Sequence, residues 1–110
     1  MKLMFIGMNG EECMDITEEE KRKIIALISA LQPHVKIYLF GSRARGDYSR
    51  GSDVDIALDG GRRIERVDVG EVRDVLNETN MLFKFDVVDF HAVQESMRGF
   101  ILKEGILWKG

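Results

Sequence analysis

Apolar residues first recur at helical spacing, with Ile24, Ile25, Leu27, Ile28 and Leu31 on one face of a 3.6-residue period. The stretch opens at Thr17, three residues before Glu20 in capping-box spacing, and Glu18 and Glu19 put negative charge at the positive end of the helix dipole. Pro33 ends the helix and directs the chain into an extended path. The period then changes to two. Val35 to Phe40 sets Ile37 and Leu39 against Tyr38 and Phe40, which predicts a strand. Gly41 to Gly51 is a polar, glycine-punctuated loop with room for a short helical turn at its start. Ser52 to Leu58 reads as a second strand closed by Gly60 and Gly61. Val67 to Asn77 reads as a helix turning Val72, Val75 and Leu76 inward, and Phe83 to Phe90 as a third strand. His91 to Glu104 reads as a last helix, buried through Val93, Met97, Phe100 and Ile101 and stopped by Gly105. Ile106 to Trp108 fits a short edge strand. This order predicts an α/β or α+β layer, a sheet covered by helices.

The chain has 110 residues, enough for one domain with its own core and too few for a two-domain enzyme with a substrate lid. That single domain is expected over residues 16–110. Met1 to Asp15 forms an N-terminal extension of unassigned structure, in which only Lys2 to Ile6 is strand-like. With 45% apolar and 32% charged residues, the composition fits a globular protein and not a disordered one. The net charge of −3 argues against holding nucleic acid or an anionic membrane mainly by neutralising phosphates. No apolar run approaches the roughly 20 residues that span a bilayer, and no signal peptide is visible, so a cytoplasmic setting is expected. Cys13 is the only cysteine, which excludes an intramolecular disulfide and a cysteine-based zinc site.

Three features carry candidate chemistry. Gly41-Ser42 directly follows an apolar strand, where glycine permits a sharp turn and a serine hydroxyl beside exposed amides can receive an anion such as a triphosphate tail. Alone, this pair is also ordinary turn chemistry. Asp53-Val54-Asp55 lies in a strand, so the two acids share one face while Val54, Ile56 and Leu58 share the other. Aspartate is a poor strand former and like charges repel, a cost that a bound divalent cation would offset. An exposed face where both acids meet water is the plain alternative. Phe85 to Phe90 is a strand of strong β-formers interrupted by Asp86 and Asp89. These two fall on opposite faces, so only one can join Asp53 and Asp55, and the other is expected at the strand end in solvent. Periodicity does not say which.

Phe40-Gly41-Ser42-Arg43-Ala44-Arg45-Gly46-Asp47 followed by Gly51-Ser52-Asp53-Val54-Asp55-Ile56-Ala57-Leu58 resembles the signature of DNA polymerase β-like nucleotidyltransferases. It is most similar to the minimal nucleotidyltransferase (MNT) group. Ten residues, Arg43 to Ser52, separate Gly41-Ser42 from Asp53-Val54-Asp55, as in that group's pattern. The resemblance runs over roughly residues 17 to 108, and the family pattern points to Asp86 as the third carboxylate. It implies the polymerase β-like fold, a mixed β-sheet flanked by helices. It also implies catalysis by Asp53, Asp55 and Asp86 holding two Mg²⁺ ions, with ATP as substrate. Gly41 and Ser42 would hold the β- and γ-phosphates, and Asp86 would serve the attacking hydroxyl. Arg43 and Arg45 are candidate nucleotide-binding residues that offset phosphate charge, and a solvated loop arginine accounts for either equally well. Arg50 reads as solvated.

Relatives with antibiotic, tRNA or DNA substrates carry extra acceptor-binding domains, for which this chain has no room. In the MNT group that economy goes with a separately encoded helical partner of the HEPN type. The resemblance then implies an antitoxin transferring AMP to a tyrosine of a HEPN toxin. The alternatives are a catalytic subunit acting on a small hydroxylated molecule and a non-catalytic antitoxin that masks its partner. The remaining polar residues read as structural: His34 at the surface, His91 at a helix start or the surface, Asp47 and Asp59 in turns. Tyr48 reads as packing or simple exposure, with stacking on a base or modification as the alternatives, and Trp108 and the methionines read as packing or as apolar contact with a partner.

Overall fold

The computed structural model describes residues 16–110. The strand-like reading of Lys2 to Ile6, and Cys13, lie outside the described residues. Helix α1 spans Glu18–Leu31 and opens with the expected capping box: Glu20 N–H donates to Thr17 Oγ1 at 3.1 Å and Thr17 N–H to Glu20 Oε1 at 3.0 Å. Strand β1 (Lys36–Phe40) runs into the single-turn helix α2 (Ser42–Arg45). Strand β2 (Val54–Asp59), helix α3 (Arg66–Asn77), strand β3 (Phe85–Asp89), helix α4 (Glu95–Glu104) and strand β4 (Ile106–Lys109) follow.

The four strands form one mixed sheet in the order β3-β2-β1-β4. β1 runs antiparallel to both β2 and β4, and β2 runs parallel to β3. A mixed sheet flanked by helices is the architecture that the sequence resemblance implies. Alternation along the strands makes two faces. On one, Ile24 and Ile28 of α1 and Val69, Val72 and Leu76 of α3 close over Ile37, Leu39, Val54, Ile56, Leu58, Phe85 and Val87. On the other, Ile101 of α4 packs with Ala57 and Phe90, flanked by Tyr38, Phe40, Val88 and Val93. The second face is only partly covered, which leaves its β2–β3 end open. α3 also guards the edge strand β3: Phe85 N–H donates to Asn77 Oδ1 (2.8 Å), and Asn77 Nδ2 and Arg73 Nη2 donate to the carbonyls of Phe85 (3.0 Å) and Val87 (3.4 Å).

Several expectations need correction. In α3 the inward residues are Val69, Val72 and Leu76, with Val75 only partly buried. The last helix begins at Glu95, not His91. Asp89 takes the intervening residues into a turn, because its carboxylate accepts the His91 N–H (3.0 Å) while its carbonyl accepts those of Ala92 (3.0 Å) and Val93 (3.2 Å). Met97 and Phe100 do not point into the core: they are 39% and 58% exposed, and only Ile101 of α4 is buried.

Candidate functional site

The site is built where β1 ends and β2 and β3 begin. Asp55 is the register partner of Asp86 across the parallel β2–β3 pair and of Phe40 across the antiparallel β1–β2 pair. Three neighbouring strands therefore present a row of Asp86, Asp55 and Phe40 on the open face. Asp53 sits at the entry to β2, just ahead of the ladder. The sequence left open which acid of β3 joins this row, and the register selects Asp86, which is solvent-exposed. Asp89 faces the other way. Contrary to its expected place in solvent it is 6% exposed, and its carboxylate accepts the N–H groups of Ile64 (2.7 Å) and His91 (3.0 Å).

Gly41 joins the row to α2. Its φ of 78° and ψ of −158° belong to a region that side chains disfavour, and a Cβ there would overlap the Asp55 carboxylate. Glycine thus lets the backbone approach the acid. The carbonyl of Gly41 accepts the N–H groups of Ala44 and Arg45, both at 3.1 Å, which closes the turn directly after β1.

Arg43 and Arg45 part company. Arg45 is half-exposed, donates to Asp47 Oδ2 (3.2 Å), and stands 3.9 Å from Glu104 Oε1 through Nη1. Arg43 is 1% exposed and is no solvated loop arginine. Its Nε and Nη2 donate to the Ser52 carbonyl at 3.2 and 3.1 Å, and Nη2 reaches the Arg50 carbonyl at 3.5 Å. The guanidinium carbon lies 4.8 Å from the Tyr48 ring centre and 5.1 Å from that of Phe83. Arg43 therefore shapes the loop whose last residue, Ser52, precedes Asp53, and Tyr48 is a packing residue. Nothing in the sequence distinguishes this arginine from Arg45, since both lie in the same polar turn. Glu104 reads there only as the end of a helix.

Electrostatics mark Asp55. Its carboxyl is pushed up to about 6 by burial, then by the Asp86 and Asp53 charges, with Arg45 opposing them. Among the described residues, no three acidic, histidine or cysteine side chains are already gathered closely enough to hold a metal ion. The donor chemistry nevertheless suits a hard divalent cation. The carboxylates of Asp86 on the adjacent strand and Asp53 at the β2 entry add to the cost of ionising Asp55, and a cation beside it would offset that cost.

His91 and Asp59 meet at the opposite end of the strands, His91 Nε2 lying 2.6 Å from Asp59 Oδ1. Burial alone would raise the Asp59 carboxyl. The Gly61 N–H, His91 and Lys36 outweigh it and hold the group below its usual range. His91 is thus a partner of Asp59 rather than a helix start. His34 is exposed in the turn after Pro33, as expected.

An acidic row beside a glycine-led turn, on the open face of a mixed sheet, defines the class as nucleotidyl transfer. Residues 22–109 match the family described as Polymerase beta, Nucleotidyltransferase, and the chain belongs to that family. A Methanocaldococcus jannaschii protein whose name describes a protein adenylyltransferase is 39% identical over 82 residues, covering 70% of this chain and 74% of its own. The Haemophilus influenzae protein named Probable protein adenylyltransferase MntA is 24% identical over 90 residues, covering 82% of this chain and 79% of its own. Among solved structures, a toxin–antitoxin with AMP-PNP superposes with a TM-score of 0.73 at 27% identity, covering 82% of this chain and 73% of that one. No described helix is long and apolar enough to cross a membrane.

Proposed function

We propose that this chain is an antitoxin that transfers AMP from ATP to a tyrosine hydroxyl of a HEPN-type helical partner, in the presence of Mg²⁺. The observation that carries the reading is the pairing of Asp55 with Asp86 beside the Gly41 turn. The adenylyltransferase names of two relatives and the nucleotide analogue in a toxin–antitoxin neighbour support it.

Asp53, Asp55 and Asp86 would hold the cations, which when bound supply charge to polarise the α-phosphate and ease hydroxyl ionisation. The chain's own groups do the rest. The amides that open α2, with the Ser42 hydroxyl, receive the β- and γ-phosphates, and Arg45 offsets their charge. Asp86, exposed at the sheet edge, faces the incoming hydroxyl and takes its proton. The acceptor oxygen bonds to the α-phosphorus as the bond from that phosphorus to the β-bridging oxygen breaks. Pyrophosphate leaves with the electron pair. Arg43 acts through the loop, keeping Asp53 at the entry to β2.

Intact mass spectrometry of the co-purified partner tests this reading. Incubation with ATP and Mg²⁺ should add whole AMP masses to the partner, and Asp53→Asn or Asp55→Asn should abolish the increment. An unmodified partner with the wild type, or equal modification by the variants, would refute it.

A further inference from the structure

Beyond Asp86, strand β3 turns its outer edge to a basic cavity. The Val54 N–H donates to the Lys84 carbonyl and the Phe90 N–H to the Leu58 carbonyl, both at 2.8 Å, which commits the even-numbered residues of β3 to β2. Phe85, Val87 and Asp89 therefore direct their backbone groups outward. Asn77 satisfies both groups of Phe85. At Val87 only the carbonyl is met, by Arg73 Nη2 at 3.4 Å, and among the described residues nothing accepts the Val87 N–H.

A cavity of about 410 Å³ opens on this stretch, lined by Val87, Val88 and Asp89 and by Arg63, Arg66 and Arg73. Its one acid is already engaged, because the Asp89 carboxylate accepts the Ile64 and His91 N–H groups. Arg63 and Arg66 are exposed and form no ion pair among the described residues. Three guanidinium groups thus gather at one edge of a chain whose net charge is −3. We infer that this edge docks an acidic, extended stretch of the acceptor protein, an inference that rests on the proposed transfer to a protein. Carboxylates match the guanidinium fork, and a carbonyl of an added strand matches the free Val87 N–H. The valine walls suit a peptide better than a bare ion, and the overall negative charge disfavours nucleic acid. Val88 follows Asp86 on the open face, and Asp89 lies only about 10 Å further along the strand than Asp86. A stretch held in the cavity would therefore bring its neighbouring hydroxyl to Asp86.

Partner binding and AMP transfer, both measured on the full chain, separate docking from chemistry. In Arg63→Glu/Arg66→Glu, with folding checked by thermal melting, Kd and KM for the helical partner should rise at least about tenfold. The kcat and the affinity for a non-hydrolysable ATP analogue should stay unchanged. Arg63→Lys/Arg66→Lys should keep most of the affinity, and raising salt from about 50 to about 500 mM should weaken the wild-type complex. Wild-type affinity in the glutamate variant, a fall in kcat alone, or a wild-type complex indifferent to salt would overturn the inference. So would inorganic phosphate or a single-stranded oligonucleotide that binds the wild type and not the glutamate variant, which would assign the arginines to a free anion or to nucleic acid. A partner held through the arginines that never receives AMP would sink the proposed function and leave the docking surface standing.

Discussion

Gly41 stands so close to Asp55 that no side chain fits between the turn and the acid. The backbone that would receive phosphates and the carboxylate that would hold their counter-cation are thereby fixed against each other. Two constraints act on one residue, the sterically forbidden Cβ and a φ of 78° paired with ψ of −158°. Gly41→Ala should therefore cost about 1–3 kcal/mol in urea unfolding from backbone strain alone. Transfer activity should fall by at least about a hundredfold, since a misplacement near 1 Å at the reacting centre costs that much. Normal activity in Gly41→Ala would mean that the close approach has no role.

Asp55 gives the pH dependence of the cation-free protein. Because its folded pKa is raised to about 6, the native state binds the proton more tightly than the unfolded chain does. The contribution favours folding below about pH 4, the ordinary carboxylate range, and is lost as pH rises through about 6. Asp55→Asn removes it. Urea midpoints at pH 4.5 and 7.5 in chelator should show the variant gaining on the wild type at the higher pH. Added Mg²⁺ should narrow that gap by stabilising only the wild type.

Asp59 titrates with the opposite sign. Its lowered carboxyl adds stability that is present above the ordinary carboxylate pKa and is lost as pH falls through the folded value. Asp59→Asn should cost about 1.5–3 kcal/mol at pH 7, the range for hydrogen bonds to a charged group. The difference from wild type should shrink in acid. Transfer activity measured well below the variant's melting temperature should stay near wild type, because the pair lies at the far end of β2 from Asp55.

Arg43 separates charge from shape. Arg43→Lys keeps the positive charge but loses the planar fork on the Ser52 carbonyl and the guanidinium contacts with the Tyr48 and Phe83 rings. We expect a destabilisation of about 2–3 kcal/mol by denaturant titration and a fall in turnover, with the loop before Asp53 loosened. A lysine variant with wild-type stability and weaker ATP binding would place the guanidinium on the nucleotide instead.

Much of this was legible in the chain because it rests on local periodicity. The capping box at Thr17, the face shared by Val54, Ile56 and Leu58, and the sharp stop at Pro33 follow from near neighbours in sequence. What escaped depends on closure in three dimensions. Met97 and Phe100 have core-like spacing, yet α4 covers only part of its sheet face and leaves them exposed. Asp89 looks like a solvent-facing strand end until the chain returns Ile64 above it, 25 residues away, and supplies a donor. Arg43 and Arg45 are equivalent as letters, and only the fold of the 46–52 loop buries one of them.

The most direct measurement of the central claim compares ATP labelled at the α-phosphate with ATP labelled at the γ-phosphate in the complex with the helical partner. Label should pass to the partner from the α position and not the γ position, with one pyrophosphate released per transfer, and Asp55→Asn should stop it. Label arriving from the γ position, or persisting from the α position in Asp55→Asn, would contradict it.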